Sequence, residues 1–339
     1  MSFLNNNIKS QKLKILLIII FLSSSAFSLD FLPTMGGQRS GTSIFNFLKI
    51  GLGARTTAMG NSGVNLARDA SVMYWNPAGV AQVGKTTITL EQTQWFAGID
   101  YSYLGYIQKI NKNIYLGLSS GALYTDPMEV TTVYHPYGNG EYFSYGDMFV
   151  GLTFSQKMTD RFSYGATIKY VQENMADLVM DGFLMDLGTY YWTGFKSLKF
   201  CVSLVNFGTQ ARPEGSYEKP LQEGGMETKK YSLFAPPTEF RIGAAMDVID
   251  NNFSKTLLSV QLNHPVDNKE NFVIGIEENL FDQFFLRAGW QGGKTQRSLT
   301  FGGGLNLNIW NYALQADYAW ADFGVLGDIQ KFQITIEFK

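Results

Sequence analysis

Gln330–Phe338, QKFQITIEF, alternates without a break. Phe332, Ile334, Ile336 and Phe338 share one face, and Gln333, Thr335 and Glu337 share the other. A period of two over this length is the signature of a β-strand with one apolar and one polar face. Working outward, the same period recurs across the chain. Tyr312, Leu314, Ala316, Tyr318 and Trp320 oppose Gln315 and Asp317; Phe272, Ile274 and Ile276 oppose Gly275 and Glu277. Leu258, Val260 and Leu262 oppose Ser259, Gln261 and Asn263, and Tyr164, Ala166, Ile168 and Tyr170 oppose Thr167 and Lys169. Phe183, Met185 and Leu187 oppose Asp186 and Gly188.

The pattern predicts fourteen strands: Thr86–Trp95, Asp100–Ile110, Asn113–Tyr124, Phe143–Lys157, Arg161–Asn174, Val179–Trp192, Leu198–Phe207, Thr238–Val248, Lys255–Asn263, Asn271–Leu280, Phe284–Gln291, Ser298–Leu307, Asn311–Trp320 and Gln330–Phe338. A soluble sandwich turns its apolar faces inward; a membrane barrel turns them to lipid and its polar faces to the lumen. Strands of about nine to fifteen residues suit a tilted span better than a sandwich strand. The apolar faces often begin or end on Tyr, Trp or Phe, as aromatic girdles do. Phe338 almost ends the chain, as in the C-termini of outer-membrane barrels. Connections sort the same way. Alternate links are short (Asn111–Lys112, Met158–Asp160, Phe281–Gln283), whereas Thr125–Tyr142 and Gly208–Pro237 lie on the opposite side. Short turns at one rim and long loops at the other are the barrel rule, and an even strand number returns the chain to its starting side. The expected fold is therefore all-β, a fourteen-stranded antiparallel transmembrane barrel over residues 86–339.

Residues 1–28 read as a secretory signal peptide. Lys9, Lys12 and Lys14 precede the apolar run Ile15–Leu22, and small residues follow in Ser23–Ser28. The apolar run is too short for a spanning helix. The expected location is the outer membrane, with membrane lipid as the first partner. Charged residues make up 17% of the chain and net charge is −2, which gives no nucleic-acid surface. Cys201 is the only cysteine, so no internal disulfide forms, and His135 and His264 stand too far apart for a metal-ligand motif. Neither histidine has the partners of a catalytic base; no enzyme activity and no cofactor is expected. Gly51-x-Gly53 lacks the strand and spacing of a phosphate loop.

Residues 29–85 break the strand pattern. Leu29–Asn46 reads as an exposed lead-in, and Gly51–Val80 is rich in small residues, with a turn at Asn76-Pro77-Ala78. A fourteen-stranded barrel has a lumen that its own side chains do not fill. This segment is the natural hatch, with Arg55, Asp69, Trp75, Asn76, Pro77 and Ala78 as its ligand or gating residues. Lys169, Asp186, Glu277, Arg287 and Asp317 face the lumen as partners for Arg55 and Asp69. In the long loops, Tyr134, His135, Tyr137, Arg212 and Glu214 are the candidate surface for a protein partner.

FLKIGLGARTTAMG (47–60), DASVMYWNPAG (69–79), WFAGIDYSYLGYIQ (95–108), Met128–Asp147, RFSYGATIKYV (161–171) and LVNFGTQARPEG (204–215) together resemble the PorV/PorQ family of outer-membrane proteins. The resemblance runs from about Phe47 to Phe338. It implies a FadL-like barrel with an N-terminal hatch carrying an Asn-Pro-Ala turn. It further implies a role in type IX protein export, binding C-terminal signal domains of exported proteins and secretion-machinery components. The alternative it implies is a FadL-like transporter of long-chain fatty acids or other hydrophobic small molecules.

Overall fold

A computed structural model describes residues 40–220, 225–251, 253–293 and 299–338. Residues 1–28, expected as a signal peptide, and residues 29–39 lie outside the described residues. Fourteen antiparallel strands close into one barrel. They are β1 (Thr86–Gln94), β2 (Ile99–Lys109), β3 (Ile114–Thr125), β4 (Tyr145–Lys157), β5 (Phe162–Met175), β6 (Leu178–Trp192) and β7 (Lys199–Gly208), followed by β8 (Glu239–Asp250), β9 (Ser254–Pro265), β10 (Asn271–Leu280), β11 (Phe284–Gly292), β12 (Leu299–Ile309), β13 (Tyr312–Asp322) and β14 (Asp328–Phe338). Each strand pairs with its sequence neighbour, and β1 pairs with β14 from Thr86↔Phe338 to Gln94↔Gln330. Closure leaves no open edge, which lipid would be unable to hydrogen-bond.

The two faces decide between barrel and sandwich. Leu152, Ile168, Phe183 and Leu286 point outward and are about 60% exposed (62%, 61%, 64% and 60%), while Thr153, Lys169, Asp186 and Arg287 point inward and are buried. In water such an apolar belt would be an aggregation surface; against hydrocarbon it is the favourable face. Aromatic pairs ring both ends: Trp95 and Phe323 at the long-loop rim (ring centroids 5.0 Å apart), Tyr312 and Phe338 at the short-turn rim (5.5 Å).

Two expectations need correction. The long loops carry structure of their own. Met128–Glu129 pairs with Tyr142–Phe143, and Ser216–Pro220 pairs with Met226–Lys230 in a hairpin above the rim. Period two was masked there because both faces of these short strands meet solvent. The exposed lead-in also ends earlier than its composition suggests. Ser43, Ile44 and Phe45 are buried, and Ile44 N–H donates to Ala235 O at 3.1 Å.

Candidate functional site

Residues 43–84 run down the inside of the barrel. The descent starts near the long-loop rim, where Lys49 pairs with Asp267, and ends at the short-turn rim, where Lys109 Nζ donates to Gly84 O. On the way the chain forms three short α-helical turns, Ala54–Ala58, Val72–Trp75 and Val80–Val83, and 3₁₀ turns at Asn46–Lys49 and Pro77–Gly79, all too short to hold themselves together. They are held by the wall. Glu91 Oε2 accepts Gly53 N–H at 2.5 Å, Gln333 Oε1 accepts Ala54 N–H at 2.8 Å, and Gln261 Oε1 accepts Val64 N–H at 2.9 Å. Thr89, Ser155 and Thr300 hydroxyls accept further amides. The inward polar faces of the strands are thus the hydrogen-bond partners of a non-strand backbone.

Glycine in the strands has the same origin. A Cβ at inward-facing Gly165 would lie 2.5 Å from Pro77, and one at Gly188 would lie 2.0 Å from Asn76 Oδ1. The wall is bare where the Asn76-Pro77 turn presses on it. That turn is built as the sequence implies. Asn76 is extended (φ −158°), its Oδ1 accepts Ala78 N–H at 3.0 Å, and Pro77–Gly79 forms one 3₁₀ turn. Asn76 Nδ2 also donates to Val64 O and Thr189 O, both at 3.0 Å, which ties the turn to the segment and to β6. Trp75 sits over Gly63, donates Nε1–H to Leu52 O at 2.7 Å, and packs edge-on against Tyr74.

Arg55 meets Glu277 on β10 through two bonds of 2.7 Å. Glu277 also accepts Arg287 Nε at 2.6 Å, and Arg287 Nη1 donates to Asp317 at 2.6 Å. Burial opposes the Arg55 charge, but the Glu277 pair outweighs it and raises the guanidinium pKa. Lys169 and Asp186 pair with each other at 2.8 Å rather than with the segment. Asp69 departs from expectation. Among the described residues it forms no ion pair; its Oδ1 accepts Ser71 N–H at 2.8 Å. A short carboxylate two residues before an amide satisfies itself locally. Sequence reading also missed Arg241, whose guanidinium lies 5.2 Å from the Tyr74 ring and 4.7 Å from the Trp75 ring, and Lys331, which binds Glu91 and Gly51 O. Both occupy inward positions of their strands, so face parity alone would have found them.

The lumen is lopsided. One charged network lies on β10, β11 and β13, and further buried pairs, Lys169–Asp186 and Lys331–Glu91, lie on β5–β6 and β14–β1. In the β2–β6 sector near the long-loop rim lies an apolar cluster, where Phe45, Phe47, Leu48, Tyr74 and Trp75 of the segment pack on wall residues including Tyr101, Tyr103, Phe149 and Leu184, with the buried carboxylates Asp147 and Glu173 beside it, Glu173 accepting Phe45 N–H at 2.8 Å. Outside that sector the wall carries an apolar groove of about 590 Å³. Outward Leu90, Leu104, Val150 and Phe332 line it together with inward Tyr103 and Phe149, across the small residues Ser120 and Gly121. At the long-loop rim Tyr134 and Tyr137 are 90% and 96% exposed, and His135, Arg212 and Glu214 are exposed as well. His264 is an exposed strand-end residue, 3.0 Å from Glu270. Buried Cys201 lines the lumen beside Val64 and Ala78.

A closed, polar-lined barrel with an apolar belt defines the class: this is the fold of bacterial outer-membrane β-barrels. The Uncharacterised protein family (UPF0164) matches residues 25–175. No curated protein matches the sequence. Among solved structures, the Ralstonia pickettii toluene transporter TbuX is similar over 85% of this chain and 99% of its own, with a TM-score of 0.56 and 12% identity. The CymD monoaromatic hydrocarbon channel covers 86% and 98% (TM-score 0.56, 11% identity), and a Pseudomonas aeruginosa FadL homologue 91% and 98% (0.51, 11%). At these identities the likeness is one of fold: the barrel matches those of FadL-type outer-membrane proteins.

Proposed function

We propose that this chain carries hydrophobic small molecules across the outer membrane, monoaromatic hydrocarbons or long-chain fatty acids among them, with residues 43–84 as its hatch. One observation carries the reading. The apolar groove of the wall reaches Tyr103 and Phe149, which belong to the apolar cluster packed on Phe47. Apolar surface thereby runs from the lipid face to the hatch, past Glu91, whose charge is held by Lys331, and an apolar solute partitions along such surface. The fold likeness to hydrocarbon transporters supports the same reading, and the proposed role is transport rather than catalysis. Trp75, Asn76, Pro77 and Ala78 hold the hatch turn, and Arg55 anchors it to the wall.

The test is equilibrium binding of toluene to the purified protein, read by Trp75 fluorescence against a Trp75→Phe background. Saturable change in the parent, lost in Tyr103→Lys, is the expected result. No saturable change, or one indifferent to Tyr103→Lys, would refute the reading. A second reading is protein export of the PorV/PorQ type. The exposed Tyr134, His135 and Tyr137 cluster favours it, with Arg212 and Glu214 on the other long loop. A C-terminal signal domain retained by the parent, and not by a Tyr134→Ser/Tyr137→Ser variant, would support export.

A further inference from the structure

We infer that the short-turn mouth of the barrel holds a binding site for an oxyanion, the carboxylate or phosphate class, built around Arg68 and Lys199. A polar recess of about 260 Å³ opens there. Four cations line it: Arg55, Arg68, Lys199 and Lys255. Two of them are already neutralised. Arg55 is bound to Glu277, and Lys255 lies 3.2 Å from Asp247 and 3.6 Å from Asp250. Of the lining acids, Asp247 is held by Lys255 and Glu277 is shared by two arginines, whereas Asp282 accepts Asn279 Nδ2–H at 2.7 Å and keeps its charge at the edge of the recess.

Arg68 and Lys199 are left over. Arg68 is half-buried and stacks on Phe285 at 4.3 Å; among the described residues it forms no ion pair. Stacking fixes the plane of a guanidinium and leaves its edge donors unused. Lys199 stacks on Trp192 at 5.4 Å and likewise lacks a carboxylate partner among the described residues. A half-buried guanidinium without an ion-pair partner is costly, so a recess lined by two such cations selects an anion. Guanidinium edge donors match the paired oxygens of carboxylate and phosphate.

The site is independent of what the barrel transports. Two sources supply its chemistry, a free anion or the head group of an amphiphile. The experiment titrates inorganic phosphate and butyl phosphate into the full chain, folded in a non-ionic detergent, by calorimetry at fixed chloride. Saturable binding of both is expected, weakened at least tenfold by Arg68→Gln and severalfold by Lys199→Gln, and unaltered by Lys112→Gln on the same rim. Equal affinity for the two probes assigns the site to free anions; tenfold preference for butyl phosphate assigns it to amphiphile head groups. Heat-modifiable gel mobility verifies folding. If Arg68→Gln does not fold, Lys199→Gln and Arg68→Lys carry the test. Absence of saturable phosphate binding in the parent overturns the proposal, as does unchanged affinity in those variants or equal weakening by Lys112→Gln.

Discussion

Glu277→Gln is the sharpest test of how the luminal segment is held. Glu277 accepts two bonds of 2.7 Å from Arg55 and one of 2.6 Å from Arg287, all three groups being buried. The amide keeps the shape and loses the charge, leaving Arg287 with Asp317 and Arg55 without its bonded carboxylate. Breaking a buried ion pair from one side costs about 3–5 kcal/mol. The barrel wall does not depend on this pair, because its strands are hydrogen-bonded backbone to backbone on both sides. The loss therefore falls on the segment. An opening free energy lowered by 3 kcal/mol speeds amide exchange of Ala54–Ala58 by a factor of about 10². Hydrogen exchange read by mass spectrometry, comparing peptides over 54–61 with peptides over β4 and β5, separates the two. Arg55→Met should cost less, since Glu277 then keeps Arg287. Unchanged exchange over 54–61 in Glu277→Gln, or equal acceleration throughout the wall, would refute the anchoring role of Arg55–Glu277.

Further outcomes follow from single contacts. Asn76→Ala removes the cap of the 3₁₀ turn and two donors to Val64 O and Thr189 O, a loss of about 1–3 kcal/mol, measurable as faster proteolysis of the segment. Gly302→Ala and Gly303→Ala are neighbours with opposite expectations. The first Cβ would lie 2.5 Å from Ala58 and 2.4 Å from Tyr318 O, the second no nearer than 3.5 Å to any atom; only the first should lower the unfolding temperature, through about 1–3 kcal/mol of overpacking. Lys169→Met strands Asp186 in the lumen and should destabilise the barrel by about 3–5 kcal/mol in a urea titration, with Lys169→Met/Asp186→Leu recovering most of it. Replacing residues 216–230 with a short Gly/Ser linker should leave heat-modifiable folding intact, because loop-closure entropy changes by less than about 1 kcal/mol for such a deletion.

The barrel was legible because its strands obey one rule. Gln330–Phe338 and Tyr312–Trp320 alternate strictly, and a one-residue slip would put Gln333 and Asp317 into lipid, so register is written into the pattern. Lumen-facing Lys169, Asp186, Glu277, Arg287 and Asp317 were recognisable by parity alone. Parity has nothing to say about a segment without a period. That Gly51–Val80 needs polar partners was readable from Arg55; which wall residue answers it depends on the circumferential position reached by a non-repetitive chain. Asp69 shows the limit, as local capping by the Ser71 amide pre-empted a tertiary partner. The apolar patch on β2–β6 was equally hidden. Tyr101, Tyr103, Phe149 and Leu184 occupy lumen-facing positions where alternation alone predicts polar residues.

The most direct test of the account compares two solutes in proteoliposomes containing the full chain: labelled toluene, and a sugar followed by liposome swelling. Toluene entry above that of protein-free vesicles, lowered by Tyr103→Lys, with no swelling in sugar, is the predicted result. Sugar-driven swelling would make the barrel an open porin, and toluene entry equal to that of empty vesicles would contradict the carrier outright.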